Sequence, residues 1–82
     1  MTKIVIVEDE PSISEVVSLY LRRAGYEVSS FSDGLSALNE LTDRLPDLII
    51  LDVMLPGMDG FTLIRKLRDQ SDVPVILLTS RR

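Results

Sequence analysis

A chain of 82 residues, 45% hydrophobic and 27% charged, has the composition of one small globular domain. It lacks cysteine and histidine, which excludes disulfides, thiolate metal centres and the usual zinc ligands. Its net charge of −4 argues against bulk attraction to nucleic acid or an anionic membrane. The first apolar run is too short for a signal-peptide core or a bilayer span, so a cytoplasmic protein is expected.

Ile4-Val5-Ile6-Val7 is β-branched and apolar on both faces, as a central parallel strand requires, and it stops at Glu8-Asp9-Glu10. Pro11 suits the first turn of a helix, Ser12 to Glu15 has capping-box spacing, and Gly25 is placed as a left-handed cap. Between them Ile13, Val16, Val17, Tyr20, Leu21 and Ala24 form one apolar stripe. Tyr26 to Phe31, interrupted by Glu27, Ser29 and Ser30, reads as an edge strand. Asp33-Gly34 opens a second helix with Leu35, Leu38 and Leu41 on its inner side, stopped near Leu45-Pro46.

Leu48-Ile49-Ile50-Leu51 is a second wholly apolar strand, and it ends at Asp52. Pro56 to Gly60 has turn chemistry, with Gly57 and Gly60 both read as turn glycines. A third helix follows, with Phe61, Ile64 and Leu67 inward and Arg65, Lys66 and Arg68 towards its C-terminus. Val75-Ile76-Leu77-Leu78 is the last strand and stops at Thr79-Ser80. Strict β-α alternation of this kind implies parallel strands joined by right-handed crossovers.

Ligands of open parallel sheets bind beyond the carboxyl ends of the strands. Three of the four strands end there in oxygen-bearing side chains, at Glu8-Asp9, Asp52 and Thr79-Ser80. If the first and third strands are neighbours, three carboxylates converge and repel, and a raised pKa or a cation must relieve them. Oxygen ligands with waters suit magnesium, beside which Asp52 becomes a nucleophile towards phosphorus, with the Thr79 hydroxyl as a hydrogen-bond donor to the phosphoryl group. Taken singly, each residue has a plainer reading: acids as helix-terminus partners, Asp52 as a turn residue, Thr79 and Ser80 as caps. Their conjunction on one rim favours the chemical reading.

The runs from Ile4 to Pro11, from Leu48 to Gly60 and from Pro74 to Thr79 resemble the receiver domain of two-component response regulators, particularly receivers that precede winged-helix DNA-binding domains. The resemblance covers the whole chain. It implies a flavodoxin-like three-layer α/β fold with a parallel sheet in the order 2-1-3-4, truncated so that a fifth strand and the last two helices are lacking. It implies Asp52 as phosphoacceptor, with Mg2+ held by Glu8, Asp9, Asp52 and the backbone carbonyl of Met54. Thr79 would be the switch hydroxyl and a sensor histidine kinase the phosphoryl donor. The lysine that such domains carry on their fifth strand has no counterpart here. On this reading residues 1–82 are a partial receiver, a self-phosphorylating switch with no turnover activity, no membrane partner and no direct nucleic-acid contact.

The last strand is apolar on both faces, and an open edge there invites self-association. The chain is therefore expected to be a fragment or one part of an assembly, with Arg81-Arg82 a plausible protease site. Two alternatives compete: a phosphorylation-independent interaction or dimerisation module, and an aspartyl-phosphate phosphatase. The phosphatase would carry a second acid two residues after its nucleophile, where this chain has Met54.

Overall fold

The computed structural model describes residues 2–78; the sequence expectations at Thr79 and Ser80 lie outside them. The element order is β1 (Lys3–Val7), α1 (Pro11–Arg23), β2 (Glu27–Phe31), α2 (Gly34–Asp43), β3 (Leu48–Asp52), α3 (Gly60–Arg68) and β4 (Val75–Leu78). The four strands form one parallel sheet in the order β2-β1-β3-β4, as the resemblance implied. β2, the polar strand, lies at an edge. None of the described helices is long and apolar enough to cross a membrane.

Alternation along the strands divides the interior in two. Val5, Val7, Ile49 and Leu51 point to one face, where Ala37 and Leu41 of α2 and Leu63 and Leu67 of α3 complete the larger core. Ile4, Ile6 and Val28 point to the other, joined by half-buried Val17, Leu21, Leu48 and Ile50. α1 belongs to this second face.

The helix ends follow their local chemistry. Asp33 caps α2 by accepting from the Ser36 N–H at 2.8 Å, and Asp59 caps α3 by accepting from the Thr62 N–H at 2.8 Å. α1 departs from the capping-box expectation: Pro11 is its first residue, Glu10 is its N-cap, and no side chain caps it. The fixed φ of proline starts the helix one residue ahead of Ser12. Its other end is as expected, with Gly25 at φ 98° and the Tyr26 N–H donating back to the Leu21 carbonyl at 3.1 Å.

The inward faces of the helices differ in phase from the sequence reading. On α1 only Ile13, Val17 and Leu21 of the expected stripe are partly buried, whereas Val16 and Tyr20 are 52% and 65% exposed. Ser18 takes a buried position. α1 is the only described helix on its face of the sheet, so one narrow seam is all it buries. On α2 the buried series is Gly34, Ala37 and Leu41, with Leu35 exposed. On α3 it is Gly60, Leu63 and Leu67, with Phe61 exposed. In both cases a glycine at the first helical position occupies the inward phase, displacing the large residue after it. β4 is less enclosed than an interior strand, with Ile76 and Leu77 exposed.

This packing predicts an asymmetric mutational response. Leu63→Ala, at a side chain 1% exposed, is expected to cost about 2–5 kcal/mol, whereas Tyr20→Ala should stay within about 0.5 kcal/mol of the parent. Urea unfolding followed by circular dichroism measures both.

Candidate metal and phosphoacceptor site

The parallel register sets Val7 opposite Leu51 on adjacent strands, so the residues that end them emerge side by side. Glu8 is 2% exposed and Asp52 fully buried, while Asp9 is half-buried. Each offers a carboxylate oxygen, and the three oxygens lie within 4.8 Å of one another. The expected convergence of the first and third strand tips is therefore present.

Backbone donors hold these acids in place. The Glu10 N–H donates to Glu8 Oε2 at 2.9 Å, and the Met54 N–H donates to Asp52 Oδ1 at 3.1 Å. Both acids thus bond an amide two residues ahead in the chain. Burial raises the pKa of Glu8, as do the charge of Asp52 and hydrogen bonding with Asp52 and Asp9; the Glu10 N–H opposes the rise. Asp59, exposed at the start of α3, is shifted the other way, mainly by the Thr62 N–H.

The strand tip carrying Asp52 is tied on both sides. The Val53 N–H donates to the Leu78 carbonyl at 3.1 Å, and the Val53 carbonyl accepts from the Gly60 N–H at 2.9 Å. Gly57 is a turn glycine, with φ 78°. Gly60 is not: it is the first residue of α3 and its φ is not positive. Its role is spatial and eluded the sequence reading, which had only the Asp-Gly pair as a signal.

A cavity of about 400 Å³ opens beside the acids, lined by Asp9, Val53, Met54, Leu55, Pro56 and Asp59. Met54 is thus at the site, with its side chain 60% exposed. The donor set fits a hard divalent cation: it consists of oxygens alone, and two of its acids are buried against each other's charge. Among the described residues this is the one group of three or more such side chains.

Comparison with known proteins agrees with this arrangement. The family model for the response regulator receiver domain matches residues 4–82. The transcriptional regulatory protein CseB of Streptomyces coelicolor is 48% identical over 80 residues, which are 98% of this chain and 34% of that protein. The chain thus spans about a third of the length of this relative. The BeF3-activated receiver domain of Klebsiella pneumoniae RstA superposes with a TM-score of 0.91 at 42% identity, over 99% of this chain and 69% of that one. The receiver domain of the Pseudomonas aeruginosa sensor histidine kinase PA1611, solved with magnesium coordinated in its active-site cleft, gives a TM-score of 0.91 at 35% identity, over 98% and 68%. A parallel sheet of this order with an acidic rim at its strand tips, and a family match along nearly the full chain, lead to one assignment: the chain belongs to the response regulator receiver domains.

Proposed function

We propose that the chain is a phosphorylation-driven switch in which Asp52 accepts a phosphoryl group, in the presence of Mg2+, from a phosphohistidine of a sensor kinase. The observation that carries this reading is the meeting of Glu8, Asp9 and Asp52 within 4.8 Å at the tips of adjacent strands. The magnesium-bearing receiver of the Pseudomonas kinase and the BeF3-activated Klebsiella receiver support it by likeness.

Glu8, Asp9 and Asp52, with the main chain at Met54, are the residues that would hold the cation. Bound there, it would neutralise the incoming phosphoryl charge and orient the phosphoryl oxygens. An Asp52 carboxylate oxygen attacks phosphorus; the new O–P bond forms as the P–N bond to the donor imidazole breaks, and its electron pair leaves with the imidazole nitrogen. Asp52 is fully buried, so attack requires the side chains around it to part. The cavity at Asp9 and Met54 is the side from which a donor would enter. Thr79 follows β4 by one residue, and we assign its hydroxyl to the phosphoryl oxygens as a switch contact. The product is the modified protein, whose new charge alters its own surface.

The phosphatase alternative lacks its second acid, because Met54 stands at that position. The interaction-module alternative has one observation in its favour, the exposure of Ile76 and Leu77 on β4, the outer strand of the sheet among the described residues. It predicts reversible dimerisation in sedimentation velocity that Ile76→Lys abolishes; a monomer at all concentrations counts against it.

Incubation with magnesium and acetyl phosphate is expected to give a covalent adduct, visible by intact-mass spectrometry, that Asp52→Asn abolishes. An undiminished adduct in Asp52→Asn would refute the acceptor assignment.

The Glu8 shift gives a pH dependence of defined sign. Between the ordinary value of 4.5 and its raised folded value, the folded chain holds a proton that the unfolded chain has released. Acidification through this window therefore stabilises the metal-free fold, and the cost of the charge is fully present above it. Glu8→Gln should raise the metal-free melting temperature at pH 7, and the gain should vanish as the pH falls towards 4.5. Thermal unfolding in excess chelator across this range measures it.

A further inference from the structure

The first turn of α3 comes unusually close to the main chain that carries Asp52. A Cβ placed on Gly60 would lie 2.8 Å from the Asp52 backbone oxygen and 3.0 Å from Val53 Cα. Both are main-chain atoms, so no flexible side chain can swing aside. The conformation itself is open to any residue, since the φ of Gly60 is not positive. Space alone demands glycine here.

We infer that Gly60 is a positioning residue for the cation cluster: its missing side chain lets α3 seat against the 52–53 peptide, and this contact sets where the Asp52 carboxylate sits relative to Asp9 and Glu8. The inference rests on the reading that these acids hold a divalent cation. α3 is anchored by Leu63 and Leu67, each 1% exposed in the larger core. The 52–53 segment ends its strand and is tied by the Val53 bonds to Leu78 and to Gly60 itself. A Cβ at Gly60 would press on the Asp52–Val53 main chain itself, and any retreat of that main chain carries the Asp52 carboxylate with it.

Such a displacement discriminates between cations. Mg2+ demands near-octahedral geometry with short bonds, whereas Ca2+ accepts longer bonds and a variable ligand number. A loss of general stability would weaken both cations alike. A displaced carboxylate would weaken Mg2+ selectively.

The test is calorimetric titration of the wild-type chain, Gly60→Ala and Val28→Ala with MgCl2 and separately with CaCl2, in about 1 M sucrose to favour the folded state. Val28→Ala removes a buried side chain from the opposite core, on a strand paired with the start of β1 and with no change of charge, so it lowers general stability away from the acids. Gly60→Ala is expected to raise the Mg2+ dissociation constant about tenfold and that of Ca2+ by less than about threefold, while Val28→Ala leaves the ratio of the two constants unchanged. An unchanged ratio in Gly60→Ala, an equal change of ratio in Val28→Ala, or a Gly60→Ala chain that stays unfolded in sucrose overturns the inference while the cation reading stands. A wild-type chain that binds neither ion overturns both.

Discussion

Two buried carboxylates on neighbouring strand tips have to be held together against their own repulsion. Glu8 and Asp52 are withdrawn from solvent, and burial, with the charge of Asp52 adding to it, raises the pKa of Glu8. The parallel ladder supplies the constraint, because pairing Val7 with Leu51 leaves the next residue of each strand no other direction in which to emerge. Amide donors at Glu10 and Met54 then fix the carboxylates locally. A fold that spends stability in this way at one rim has built a place for positive charge, whether proton or cation.

The remainder of the structure serves that rim unequally. The face with α2 and α3 has a closed core from Val5 to Val73, and it anchors the helix that abuts the Asp52 peptide. The opposite face is covered by α1 alone among the described helices, through Val17 and Leu21. Among the described residues the larger core thus lies on the side of the helix that abuts the Asp52 peptide, while α1 keeps Val16, Leu19 and Tyr20 in contact with solvent.

Much of this was legible in the chain. Unbroken apolar runs located the central strands, polar residues marked β2 as an edge, and oxygen-bearing residues at strand ends located the rim. Helix phase was harder to read, for a physical reason. α1 is apolar over more than half its circumference, with both Leu19 and Val16 exposed, and only the neighbours it meets decide which residues are covered. Leu35 and Phe61 misled because the inward phase at each helix start belongs to Gly34 and Gly60. Gly60 illustrates the limit most directly. An aspartate-glycine pair after a proline-glycine loop reads as a turn, and only long-range contact reveals a glycine needed for space.

The central claim is that Glu8, Asp9 and Asp52 together bind one hard cation. Crystals of the chain soaked in manganese chloride, an anomalously scattering substitute for magnesium, test it most directly. The account predicts a single strong anomalous peak within bonding distance of Asp9 and Asp52. A cluster that attracts no ion at saturating manganese, or a peak that Asp52 does not ligate, would contradict it.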